Sequence, residues 1–254
     1  MQEYKHKVDK SEIPTCNIMG VNLAAINMSQ LIEYTSENIK ALSGDYMCVS
    51  NVHTTVTAYE DSSYKMVQNS GIMAIPDGGP LSSVGRKRGF DTMERTTGPS
   101  YMEEIFKLGN GYTHYFYGST QENLNKLNEV LKQKYPDIKI SGMFSPPFRA
   151  LTEEEDEKII EQINKTNSDF IWVGLGAPKQ EKWMNEHQGR VNGFMVGVGA
   201  GFDYFAGNIK RAPLWMQKCN MEWFYRLMQD PKRLFKRYWK TNIRFIWHAI
   251  IRGE

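Results

Sequence analysis

Hydrophobic positions along the first two hundred residues follow two alternating rhythms. Short apolar runs at Cys16–Leu23, Tyr46–Ser50, Ile72–Ile75, Thr113–Tyr117, Ile138–Met143, Phe170–Val173 and Gly193–Val198 read as strands. Between them lie helix-period stretches. One starts at a Ser29 cap and runs to about Leu42; others are Val52–Glu60, Tyr101–Leu108, Gln121–Lys134, a Thr152-capped stretch to about Lys165, and Lys179–His187. In Gln121–Lys134 the spacing puts Leu124, Leu127 and Leu131 on one face. Ile171–Val173 and Phe194–Val198 are apolar without interruption, as strands buried on both faces require. The alternation predicts an α/β fold: a mostly parallel, doubly wound, Rossmann-like sheet with helices on both faces. Pro76-Asp77-Gly78-Gly79 reads as a turn, and Gly85–Gly98, which lacks apolar periodicity, as a loop.

From Pro213 onward the pattern is helical only. Asp230 followed by Pro231 is a helix start, and the helix is expected to reach about Ile250. At 100° per residue, Lys232, Arg233, Lys236, Arg237, Lys240 and Arg244 fall within an arc of about 140°. Leu234, Phe235, Tyr238, Trp239, Phe245 and Ile246 occupy the other side. Such a basic amphipathic helix suits a headgroup layer; equally, it suits a terminal helix docked on the domain with its charges solvated. A division follows into an α/β core, 1–205, and a helical appendage, 206–254.

Charge sharpens that division. Residues 206–254 carry eleven Lys and Arg against three acidic residues, a balance of +8, whereas the whole chain is only +2. The first 205 residues therefore carry −6. A tail so polarised seeks phosphate, whether on lipid, nucleotide or nucleic acid. The remaining composition is that of a globular protein, 41% hydrophobic and 24% charged. Cys16, Cys48 and Cys219 lack metal-site spacing and read as reduced, buried thiols. The charged start Met1–Lys10 is not expected to be a secretion signal, and no apolar run is long enough to span a bilayer.

Four loops at predicted strand ends carry candidate chemistry. Asp77, between Pro and Gly, can act as a general base, or simply serve its turn. Gly174-Leu175-Gly176-Ala177-Pro178-Lys179-Gln180 places glycines and a helix start, with Lys179 as a point charge, where an anion could bind. Gly197–Asp203, with Gly199, repeats the idea one strand later. Ser145–Arg149 is a proline-stiffened loop that holds Arg149 outward. Asn51, Glu94 and Arg95 lie where they could reach the same cleft; His53 is given no catalytic role. The acidic run Glu153–Glu157 suits a helix N-terminus, not a metal, and no DxD motif occurs. A nicotinamide-dependent oxidoreductase is a weak rival, because neither glycine loop continues as GxGxxG. A non-enzymatic membrane- or phosphate-binding module is a second.

These pieces, in this order, resemble the WecG/TagA/CpsF glycosyltransferases, glycosyltransferase family 26. The resemblance rests on Asn51, IPDGG (75–79), ER..G (Glu94, Arg95, Gly98), SPPFR (145–149), WVGLGAPKQEKW (172–183) and GVGAGFD (197–203). It continues through AG..KRAP.W (206–215), EWFYRL (222–227) and P.RL.KRY (231–238). It implies an inverting hexosyl transfer that needs neither metal nor cofactor. The donor would be a UDP-sugar, often of N-acetylmannosamine type. The acceptor would be a polyprenyl-diphosphate-linked sugar at the inner leaflet of the cytoplasmic membrane, in cell-surface polysaccharide or teichoic acid synthesis. Asp77 would be the base, and Gln180 would belong to the sugar site. Asn51, Gly78, Glu94, Arg95, Arg149, Gly176, Lys179, Gly199 and Asp203 would line the substrate. Lys210, Arg211, Arg226, Arg233, Lys236 and Arg237 would face the lipid diphosphate and membrane. The protein would be cytoplasmic and peripheral, without nucleic acid, and apolar surface freed by an opened tail would favour homo-oligomers. The family often has Asp two residues after the ER..G glycine; this chain has Ser100.

Overall fold

The computed structural model describes residues 4–213, 215, 216 and 221–254. Lys218 and Cys219 lie outside the described residues, as do the side chains of Arg233, Lys236 and Arg237. Eight strands form one sheet: β1 (Thr15–Ile18), β2 (Val21–Ala24), β3 (Tyr46–Ser50), β4 (Met73–Pro76), β5 (Thr113–Gly118), β6 (Lys139–Phe144), β7 (Phe170–Gly174) and β8 (Phe194–Gly197). Their order is β1-β2-β4-β3-β8-β7-β5-β6. Every pairing is parallel except β1 with β2.

The helices in chain order are α1 (Met28–Asn38), α2 (Val52–Glu60), α3 (Ser62–Ser70), α4 (Gly79–Lys87), α5 (Gly98–Leu108), α6 (Gln121–Lys134), α7 (Glu153–Lys165), α8 (Lys179–Glu186), α9 (Gly201–Phe205), α10 (Glu222–Gln229) and α11 (Pro231–Phe245). A π-helical turn, Ile246–Ile251, follows. Alternate residues of each central strand feed opposite cores, as the period of two demands. Tyr46, Cys48, Tyr115, Tyr117, Ile171, Val173 and Met195 join one cluster with side chains of α2, α3, α4, α7, α8 and the C-terminal helix. Met47, Val49, Phe116, Phe170, Trp172, Phe194 and Val196 join the other, with α1, α5, α6 and α9. The doubly wound fold expected from the alternation is the fold observed.

Local departures have identifiable causes. The expected single strand Cys16–Leu23 is a hairpin, because Met19 and Gly20 both take positive φ, 53° and 85°, and reverse the chain. Helix α1 is capped by Asn27, not Ser29: Asn27 and Gln30 form a reciprocal capping box. It ends at Asn38, short of Leu42. Helix α3, capped by Asp61, has only Tyr64 and Gln68 buried, too few apolar positions to register as a period. The expected loop Gly85–Gly98 overlaps the end of α4. Gly85 there is a packing notch, since a Cβ would sit 2.0 Å from Met93 Sδ.

The C-terminal helix uses its apolar residues in two ways. Leu234, Thr241, Phe245 and Ala249 are buried, and α11 packs along α2. Arg244 pairs with Glu60 of α2. Arg88, the C-cap of α4, donates to the carbonyls of Asn17 (2.5 Å), Ala249 (3.4 Å) and Glu254 (2.7 Å). Phe235, Trp239, Ile243, Ile246, Trp247 and Ile250 instead face outward. The residues opposite the basic arc thus divide, some docked and some exposed. Among the described residues no helix is long and apolar enough to cross a membrane.

Gly118 ends β5 at φ 126°, and a Cβ there would lie 2.6 Å from the Gly174 backbone of the neighbouring strand. Neither strand can yield. Gly118→Ala should lower unfolding stability by at least about 2 kcal/mol, read as a lower urea midpoint with unchanged slope.

Candidate active site

Parallel strands deliver their carboxyl ends to one rim of the sheet, and the neighbours β4, β3, β8 and β7 end there in Asp77, Asn51, Val198 and the Gly174–Gly176 loop. The Asp77 N–H donates to the Ser50 carbonyl at 2.6 Å, which fixes the turn to the end of β3. The Thr96 N–H donates to the Pro76 carbonyl at 2.9 Å, so the loop carrying Glu94 and Arg95 is stitched over the same turn. Gly98 closes the ring: a Cβ there would stand 3.2 Å from the Val198 Cα and carbonyl oxygen. The aspartate turn, the arginine loop and the second glycine loop therefore lie side by side on one rim.

The cations around Asp77 come from both parts of the chain. Burial raises its carboxyl above the ordinary value; the guanidinium groups of Arg95, Arg226 and Arg211, in that order, pull it back. Arg95 is partly buried between Asp77 and Glu222, the first residue of α10, with which it forms an ion pair. Arg226 stacks over the Tyr204 ring, 5.7 Å from its centroid, and Tyr204 in α9 also feels Asp77. Arg211 donates to Ser100 Oγ and reaches Glu103 at 3.4 Å. Ser100 is thus a contact of a C-terminal arginine.

The glycine loops are shaped for approach. Gly176 and Gly199 have φ of 78° and 56°, and nothing lies within 4 Å of where either Cβ would point. Both are conformations that disfavour side chains, opening onto free space. Exposed Lys179 begins α8, above the first of them. Gly78, at φ 149°, turns the chain into α4 directly after Asp77.

Other expected ligand residues are held by the protein itself. Asn51 caps α2, its side-chain oxygen accepting from His53 and Thr54 N–H at 3.0 and 3.2 Å. Gln180 is buried and bonded on both sides to protein groups. Asp203 accepts from Asn123 at 3.0 Å and Asn208 at 3.4 Å, tying α9 to α6. Glu94 is exposed. Lys210 is exposed as well, its main chain bonded to Gln229. Arg149 is exposed, bonded twice to Glu155 (2.7 and 2.6 Å). It follows β6, five strand positions from β4 and hence about 24 Å across the sheet from Asp77. Sequence reasoning gave no role to Tyr204 or Glu222. For Glu222 a signal existed, since it is one of only three acids in a strongly basic tail.

A model of the Glycosyl transferase WecG/TagA/CpsF family matches residues 16–253. The chain belongs to that family. It is 29% identical over 228 residues to an N-acetylglucosaminyldiphosphoundecaprenol N-acetyl-beta-D-mannosaminyltransferase of Bacillus subtilis (strain 168), across 88% of this chain and 85% of the relative. It is 28% identical over 235 residues to the proteins of that name in Staphylococcus aureus strains MW2 and NCTC 8325 / PS 47, across 89% of each chain. Membership in the WecG/TagA/CpsF glycosyltransferases sets aside the oxidoreductase and the non-enzymatic module. For this glycosyltransferase the matched span includes the appendage, so the arginines drawn toward Asp77 lie within the family unit.

The folded protein holds the Asp77 proton more tightly than the unfolded chain does. Its contribution to stability is therefore present at low pH and lost as pH rises from the ordinary aspartate value through the raised one. Removing a cation should move the midpoint further up, and freeing Arg95 from its rival acid should move it down. Carboxyl ¹³C titration of Asp77 should show the first in Arg226→Ala and the second in Glu222→Gln.

Proposed function

We propose that this protein transfers an N-acetylmannosamine-type hexose from a UDP-sugar to a polyprenyl-diphosphate-linked sugar, with inversion and without metal, in cell-surface polymer synthesis. The observation that carries the reading is the Asp77 carboxyl facing Arg95, Arg226 and Arg211 beside the Gly199 loop. The names of its relatives support the acceptor class and the sugar transferred: each is an N-acetyl-beta-D-mannosaminyltransferase named for N-acetylglucosaminyldiphosphoundecaprenol.

The chemistry then has a place for each charge. The Asp77 carboxylate takes the proton of the acceptor hydroxyl; that oxygen bonds the anomeric carbon, and the bond to UDP breaks with its electron pair leaving on the diphosphate. A raised carboxyl is the stronger base once ionised, which suits abstraction from an alcohol. The departing negative charge is met by guanidinium groups and by the amide-rich helix starts at Lys179 and beyond Gly199, fixed before the reaction begins. Arg211 and Arg226, held by Ser100 and Tyr204, close the site over the diphosphates and limit water.

The outward face of the appendage supports docking at the inner leaflet. Trp223 and Phe224 of α10 are exposed beside Phe235, Trp239, Ile243, Ile246, Trp247 and Ile250. Trp223 packs edge-on to Tyr238, 6.2 Å between ring centres, which joins the two helices into one aromatic surface. Rings at the interface with Lys240, Arg244 and Arg252 nearby give anchorage of roughly 1 kcal/mol per basic residue beyond the apolar burial.

Asp77→Asn should lower transfer about 10²- to 10⁴-fold while UDP binding persists, measured by UDP release and calorimetry. Retained turnover would reject Asp77 as base. Chelation with EDTA should leave the rate unchanged. Phe235→Glu with Trp239→Glu should abolish co-sedimentation with anionic vesicles without changing turnover on a water-soluble acceptor analogue. Undiminished vesicle binding would reject this face.

A further inference from the structure

Beneath the two loops that frame the crevice runs a chain of polar side chains with almost no access to solvent. Ser50 Oγ, at the end of β3, donates to Gln68 Oε1 at 2.5 Å. Gln68 Nε2 donates to the Tyr64 hydroxyl at 2.8 Å, both on α3. Beyond it α3 packs on α8, which brings the Tyr64 hydroxyl within electrostatic reach of the Glu181 carboxyl. Glu181 Oε1 accepts from Gln180 Nε2 at 2.8 Å, and Gln180 Oε1 accepts the Gly199 N–H at 3.0 Å. Ser50, Tyr64, Gln68, Gln180 and Glu181 are all at most 3% exposed. Five polar side chains in a core are costly unless each is satisfied, and an arrangement nearly satisfied end to end specifies one geometry.

Two details point to a purpose beyond packing. A Cβ at Gly197 would stand 2.8 Å from Met184 Cε and 3.0 Å from Gln180 Nε2, so the missing side chain makes room for both against β8. The two ends of the chain are also the two loops of the site: Gly199 is one, and the Ser50 carbonyl holds the Asp77 N–H at 2.6 Å.

We infer that Glu181 is a positioning residue: through its hydrogen bond to Gln180 it fixes the Gly199 loop, from a carboxyl packed against α3. Burial raises the Glu181 carboxyl and the Tyr64 phenol above their ordinary values, which favours the neutral forms that such a buried strut requires. Glu181 Oε2 has no hydrogen-bond partner among the described residues, so Oε1 alone is bonded, to Gln180. The consequence for catalysis rests on the transferase reading, in which the Gly199 loop receives the donor diphosphate.

The test compares Glu181→Gln, Glu181→Leu and Tyr64→Phe. The amide of Gln can accept from Gln180 and donate to Tyr64, whereas Leu can do neither. Hydrogen exchange across residues 197–201 in substrate-free protein should be unchanged in Glu181→Gln and faster in Glu181→Leu. The KM for the UDP-sugar should rise about tenfold in Glu181→Leu with kcat within about twofold, and Glu181→Gln should restore it. Should Glu181→Leu not fold, Tyr64→Phe removes only the hydroxyl and should still speed exchange in the same segment. Unaltered exchange in the folded variants, or Glu181→Gln as impaired as Glu181→Leu, would overturn the inference. Because exchange needs no substrate, a wild type that fails to bind UDP while exchange responds as expected would sink the transferase reading alone.

Discussion

The arrangement on which the site depends is one arginine shared by two acids. Arg95 lies partly buried with Asp77 on one side and Glu222 on the other. Taking a guanidinium group out of water is tolerated only when carboxylates compensate it, and removing one partner leaves a charge stranded. Arg95 therefore makes the crevice and the appendage a single electrostatic unit. The same group that steadies the Asp77 carboxylate also holds the first turn of α10 above it, which is how Arg226 comes into range.

The sheet was legible in the sequence because its strands are short, apolar and regularly interrupted, and alternate residues of β7 do reach opposite cores. Glycine was the least reliable guide. Gly85 marks a place where Met93 needs room inside a helix, and Gly20 marks a reversal within an apparently single strand. Helix α3 escaped notice because half of what it buries is polar: Gln68 lies inside as part of a hydrogen-bonded chain, not as part of an apolar stripe. Hydropathy cannot distinguish such a residue from a surface one.

For the site, the sequence indicated which loops to examine but not what each side chain does there. Asp77 and Arg95 meet on this rim, whereas Asn51, Gln180 and Asp203 each have a side-chain oxygen bonded to neighbouring protein groups. Motif membership alone does not separate a group that touches substrate from one that holds a loop. The pairing of Arg95 with Glu222 joins residues 127 positions apart, beyond the reach of any local pattern. The terminal helix likewise defied a simple two-sided division, because the surface it rests on takes Leu234 and Phe245 but not Phe235 or Trp239.

Arg88 gives the appendage an unexpected mechanical character. By gripping the main chain of Asn17, Ala249 and Glu254 together, it clamps the segment 249–254 to the first strand. With Arg211 and Glu222 engaged upstream, the helical segment is moored at both ends, like a strap and not a hinged door. A molecule that comes to Asp77 from this side therefore meets a segment tied down on both flanks.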